Sequence, residues 1–121
     1  MVDSIRIILV DDHNMVRMGL KAYFASLPDI QVVGEAATGS EAVRLAAELT
    51  PDVILMDLIM PGMDGVEAIR QIMQATPATR IIALTMYRQE QYMLDAIRAG
   101  ARGYSCVRLS RCVLGGFIFG Q

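Results

Sequence analysis

Histidine and cysteine are scarce in this chain: His13 stands alone, and the two cysteines, Cys106 and Cys112, both fall near the C-terminus. Neither their spacing nor any pairing with His13 matches a metal-ligand pattern, which excludes a zinc-stapled fold. With nothing else pointing to an oxidising compartment, the cysteines are read as free thiols in a reducing cytoplasm. Long apolar runs are missing too, and none approaches the length of a membrane span. The start, Met1-Val2-Asp3-Ser4, carries an acid where a signal peptide needs basic residues, so a cytoplasmic location is expected. Basic residues show no excess: 11 Lys and Arg stand against 13 Asp and Glu, a net charge of −2. A phosphate backbone demands a basic face, so this chain alone is not expected to bind nucleic acid. What is abundant is apolar side chain, 54% of 121 residues, enough for one domain to bury a core without disulfides or a structural metal.

The apolar residues come in two alternating patterns. Ile5–Val10, Val53–Met56 and Ile81–Leu84 are short, nearly continuous apolar runs of the kind that form strands buried on both faces. Ile30–Ala36 alternates more and contains Gly34, which suits an edge strand. Between them, Val16, Leu20, Tyr23, Phe24 and Leu27 fall on one helical face, and Pro28-Asp29 stops that helix. Thr38-Gly39-Ser40-Glu41 has the form of a capping box for a second helix, with Ala42, Leu45, Ala46 and Leu49 inward and Thr50-Pro51 at its end. Val66, Ile69 and Met73 mark a third helix. A fourth, about 88–99, closes at Gly100 before a last strand from Arg102 to Cys106. Strict β-α alternation with short connections predicts a doubly wound α/β fold: a five-stranded parallel sheet with right-handed crossovers and helices on both faces.

Such sheets bind ligands beyond the carboxyl ends of their strands. Val10 is followed by Asp11-Asp12, Met56 by Asp57 and Leu84 by Thr85, so three acids and a hydroxyl project from one edge. Carboxylates crowded together repel unless a cation joins them, and a hard cation such as Mg2+ suits a few carboxylates plus waters. A carboxylate held this way can attack a phosphoryl group and form a mixed anhydride, and a nearby hydroxyl can then bond the new phosphate. Each residue also has an ordinary role open to it. Asp12 can cap the first helix, an Asp after a strand is commonly a solvated loop residue, and His13 suits a helix start better than a metal ligand. The nine methionines are expected as core filler. The joint occurrence at three strand ends favours the site.

Val10-Asp11-Asp12-His13, then Met56-Asp57-Leu58-Ile59-Met60-Pro61-Gly62-Met63-Asp64-Gly65, then Ala83-Leu84-Thr85, resemble the receiver domain of two-component response regulators, in detail the NarL/LuxR-type branch. The resemblance runs from Ile5 to about Tyr104 and implies the receiver-like strand order 2-1-3-4-5. It implies Asp57 as phosphoacceptor; Mg2+ held by Asp11, Asp12, Asp57 and the backbone carbonyl of Ile59; and Thr85 and Tyr104 as the switch pair. It also implies a sensor histidine kinase as phosphodonor and a possible homodimer. DNA contact would come only through an effector domain that this chain does not carry. Ile59 and Tyr87 fall where receivers tune the lifetime of the phosphate, and their bulk is expected to limit water access.

Two departures stand out. Receivers carry a Lys three residues after the switch aromatic, and here that position is Val107; Arg108 is one residue off and, on a strand, points to the other face. From Ser105 to Gln121 there is no acid, and Gly115-Gly116 breaks what should be an amphipathic fifth helix. Residues 1–104 are therefore read as the receiver domain. Residues 105–121 form an atypical tail in place of the end of the fifth strand and an aberrant or missing fifth helix, as a truncated or frame-shifted product, or natural divergence, would give. The apolar Phe117-Ile118-Phe119 needs cover and invites self-association. Three functions follow: a phosphoacceptor signalling module, the regulatory part of a transcription factor; a degenerate receiver that binds partners without phosphorylation; and an aspartyl-phosphate phosphatase. The last needs a general acid two residues after the nucleophile, where Ile59 stands.

Overall fold

The computed structural model describes residues 4–57, 65–85 and 90–106, with Thr85, residues 90–93 and residues 103–106 described by their backbone alone. Strands and helices alternate in chain order: β1 (Ile5–Val10), α1 (Asn14–Ala25), β2 (Ile30–Ala36), α2 (Gly39–Leu49), β3 (Val53–Asp57), α3 (Gly65–Ala75), β4 (Arg80–Thr85), α4 (Glu90–Ala99) and β5 (Gly103–Cys106). The five strands form one sheet in the expected order, β2-β1-β3-β4-β5, and every pairing is parallel. The order reverses between β1 and β3, which places the crevice of the doubly wound fold at their carboxyl ends.

Side chains alternate along each strand between two cores. On one face Ile8, Val10, Ile54 and Met56 pack with Ala42 and Ala46 of α2, Ala68, Ile69 and Ile72 of α3, and Ala96 of α4. Small alanines along these helices let them lie close to the sheet. On the other face Ile7, Leu9 and Leu55 pack with Leu20 and Phe24 of α1. Phe24 is wholly buried and meets Tyr23 edge-to-face, with ring centroids 5.4 Å apart.

The local punctuation follows the sequence. Thr38 caps α2 by accepting from the Glu41 N–H at 3.1 Å, while Glu41 reaches back to the Ala37 N–H at 2.9 Å, one residue outside the usual reciprocal bond. Helix α2 ends at Thr50 in the left-handed region, φ 42°, just before Pro51. The helix's last carbonyls would be orphaned there. Arg6 Nη1 satisfies two of them, donating to Leu49 O at 2.8 Å and Thr50 O at 3.1 Å. Helix α4 ends at Gly100, φ +124°, whose N–H bonds back to Ala96 and Ile97.

The edge strand β2 holds one irregularity. Ile7 pairs with Val32, but Ile8 pairs with Gly34, so Val33 is an extra residue and the strand carries a bulge. Val33 and Gly34 then lie on the same side: Val33 packs in the α2–α4 core, and a Cβ at Gly34 would meet Leu49 at 3.0 Å. The expectation for the methionines is met only in part. Met56 is buried and Met73 half-buried, but Met15 and Met18 on α1 are 83% and 67% exposed, because α1 turns that face to solvent. The fifth-helix region, 107–121, lies outside the described residues.

Candidate functional site

Two buried strand ends bring the acids together. Asp11 follows β1, and its N–H donates to Ala36 O at 3.0 Å, prolonging the β1–β2 ladder by one bond. Asp57 is the last residue of β3, in register with Leu84 of β4. Both are buried, at 5% and 4% exposure, among otherwise apolar strand residues. Asp12 is half-buried beside them. Ligand atoms of Asp11, Asp12, His13 and Asp57 all lie within 4.8 Å of one another. Three carboxylates at that separation repel one another, and the burial of two of them sharpens the repulsion.

His13 holds part of that negative charge. It is the N-cap residue of α1, with extended backbone and no side-chain cap bond. The helix-start role expected for His13 is therefore what the fold gives it, and Asp12 does not cap the helix. The His13 backbone N–H donates to Asp11 Oδ1 at 2.7 Å, and His13 Nδ1 lies 2.8 Å from the same oxygen. The bond to Asp11, and then the charges of Asp11 and Asp12, hold the imidazole above its usual 6.5. Asp12 Oδ1 lies 3.1 Å from the same Nδ1, yet this buried oxygen accepts no hydrogen bond. An orphaned buried carboxylate oxygen facing two further carboxylates fits a hard divalent cation with oxygen ligands.

Thr85 closes β4 at the same edge, one step beyond the register partner of Asp57. It pairs with Cys106, and Tyr104 pairs with Ala83, two positions back along the sheet. The backbone thus places Thr85 at the acid edge and Tyr104 in the adjoining strand. Ile59, Tyr87, Val107 and Arg108 lie outside the described residues.

A second layer of charge, not foreseen from sequence, supports the first. Arg17 of α1, 16% exposed at its side chain, donates from Nη1 to the backbone carbonyl of Asp11 and from Nη2 to Asn14 Oδ1. Its Nε donates to Glu35 of β2 at 3.2 Å, and Lys21 Nζ meets the other Glu35 oxygen at 2.8 Å. The bulge at Val33 puts Glu35 there: it restores alternation one residue late, so Glu35 pairs beside Leu9 and shares the face of α1. The only sequence signal for this group is an Arg one turn into α1. Nothing in the spacing ties it to Glu35, 18 positions away.

The comparisons agree with this geometry. The family model for the response regulator receiver domain matches residues 7–105. The transcriptional regulatory protein LiaR of Bacillus subtilis is 55% identical over 100 residues, which cover 83% of this chain and 47% of LiaR. The response regulator protein VraR of Staphylococcus aureus is 46% identical over 101 residues, 84% of this chain and 48% of VraR. The chain thus spans about half the length of the curated relatives it matches. Among solved structures, a LuxR-family two-component response regulator from Aurantimonas superposes with TM-score 0.81 at 45% identity, covering 86% of this chain and 74% of that one. The signal receiver domain of the putative response regulator NarL from Mycobacterium tuberculosis gives 0.86 at 28% identity, covering 93% and 90%. With strand order, acid edge and sequence match in agreement over the same residues, the chain belongs to the response regulator receiver domain family, in its NarL/LuxR branch.

Proposed function

We propose that this chain is a phosphoacceptor signalling domain that takes a phosphoryl group on Asp57 in a Mg2+-dependent reaction. The observation that carries this is the convergence of Asp11, Asp12 and Asp57 within 4.8 Å, two of them buried and the third with an orphaned buried oxygen. Asp11, Asp12 and Asp57, with the backbone carbonyl of Ile59, would hold Mg2+, which when bound offsets charge on the phosphoryl oxygens. An Asp57 carboxylate oxygen attacks phosphorus. The bond from phosphorus to the donor nitrogen breaks, the donor imidazole leaves and takes a proton, and a mixed anhydride remains on Asp57. The donor class is a sensor histidine kinase. Thr85 and Tyr104 read the new phosphate as the switch pair, since added charge and acceptor oxygens draw in a nearby hydroxyl. The domain acts on itself, in the cytoplasm, as the regulatory part of a transcription factor. Pairing with a second copy and DNA contact through an effector domain outside this chain complete the reading. Residues 1–104 form the receiver unit and 105–121 an atypical tail, of which Ser105 and Cys106 still complete β5.

Intact-mass spectrometry after incubation with acetyl phosphate tests this. A gain of one phosphate that needs Mg2+ and is lost in Asp57→Asn is expected; no gain in the folded parent overturns it. One observation favours a second reading, a phosphorylation-independent interaction module: Val107 stands where receivers carry the Lys that pairs with the phosphoryl group. A parent that binds Mg2+ yet stays unmodified would select it.

A further inference from the structure

We infer that Arg17 is a positioning residue for the cation site, holding the Asp11–Asn14 turn in shape through the Asp11 carbonyl. The inference rests on the Mg2+ reading above. The acids that would hold the cation do not sit on rigid structure alone. Asp57 ends a strand buried in the centre of the sheet, flanked by β1 and β4. Asp11 and Asp12 instead lie between the last residue of β1 and the N-cap of α1, where strand and helix bonding are both incomplete. Among the described residues, the Arg17 side chain braces this turn from α1, in addition to the bonds His13 makes to Asp11. One guanidinium bonds the Asp11 carbonyl behind the carboxylates, Asn14 at the first turn of α1, and Glu35 on β2. A planar fork with donors in fixed directions can meet three acceptors at once, which a lysine ammonium on its flexible stem cannot do with the same geometry. Glu35 is itself held by Lys21 at 2.8 Å, so the anchor on β2 is braced independently of Arg17.

The sign of the effect separates positioning from simple charge. A cation beside a metal site opposes binding of a second cation, so if Arg17 acted only through its charge, removing it would tighten Mg2+ binding. If Arg17 fixes the turn, removing it frees Asp12 to leave the geometry that faces Asp57, and Mg2+ binding weakens. Loss of a group that orients metal ligands typically lowers affinity about 10- to 100-fold.

The experiment is isothermal titration of the full chain with Mg2+ alone, on the parent, Arg17→Ala and Arg17→Lys, at a temperature where circular dichroism shows each folded. Arg17→Ala is expected to raise the Mg2+ dissociation constant about 10-fold or more, with Arg17→Lys in between despite its retained charge. Phosphate uptake from acetyl phosphate in Arg17→Lys should slow at low Mg2+ and return to the parent rate at saturating Mg2+. Unchanged or tighter Mg2+ binding in Arg17→Ala, or Arg17→Lys equal to the parent, overturns the inference and leaves the Mg2+ reading standing. A parent that binds no Mg2+ overturns the Mg2+ reading, and this inference with it.

Discussion

Glu35 shows how much one side chain's surroundings decide. Lys21 hydrogen-bonds it most strongly, Arg17 adds a second bond, and together they outweigh partial burial to hold its carboxyl below the usual 4.5. A carboxylate whose folded value is depressed contributes stability above its unfolded value, and that contribution is lost as pH falls through the folded value. The parent should therefore lose part of its advantage over Glu35→Gln as pH drops from 6 to below about 4.5, read as urea midpoints at each pH. A gap independent of pH would show that the ion pairs add nothing. The same scale sets what a sequence can reveal. Asp11, Asp12 and Asp57 were legible because each follows an apolar strand run, and strand ends in such a sheet share an edge. His13 was legible as a helix start but not as the donor that satisfies Asp11. Glu35 was not legible at all, because its partners lie on another element and no period links them.

Two helix ends carry residues of opposite suitability. Gly100 sits at φ +124°, and a Cβ there would meet Met73 Cγ at 2.6 Å and Met73 Cβ at 3.4 Å. Gly100→Ala should cost about 1–3 kcal/mol, since strain and overlap coincide. Thr50 is a β-branched residue at φ 42° with an exposed side chain, where a glycine carries no penalty. Thr50→Gly should raise stability by about 1 kcal/mol. Thermal unfolding of both variants checks the pair; shifts in the same direction would count against the strain account. Element positions were the most legible part of the fold, since periodicity and punctuation agree: the capping box at Thr38 and the stop at Thr50-Pro51 both fall as the sequence implies. Methionine was misjudged on α1, because a helix packed on one side leaves its opposite face wet whatever the residue type. The one-residue excess at Val33 left no mark, as Val-Val-Gly reads as ordinary edge strand.

At the scale of the whole molecule, the acid edge sets a liability against the two cores. Asp11 and Asp57 are buried beside Asp12, and a cation that offsets the repulsion among the three carboxylates binds the folded form alone. Unfolding temperature should therefore rise with Mg2+, by an amount equivalent to about 2.7 kcal/mol when free Mg2+ reaches 100 times its dissociation constant. Asp12→Asn should blunt that rise, and scanning calorimetry in a Mg2+ series would show it; a parent indifferent to Mg2+ would separate the acid cluster from cation binding. Fold class was legible from alternation alone, but the sheet order was legible only through the family resemblance, because β-α alternation admits more than one doubly wound order.

The bulge in β2 bears on anyone wishing to transplant this edge. In an ideal ladder Glu35 would pair beside Val10 and face the helix that carries Ala42 and Ala46, on the far side of the sheet from Arg17. A designer who copied the three aspartates onto regular strands would reproduce the carboxylates and lose the anchor behind their turn. The irregular residue is thus part of the template, and a scaffold chosen for its symmetry would have to be broken at Val33 to carry this site.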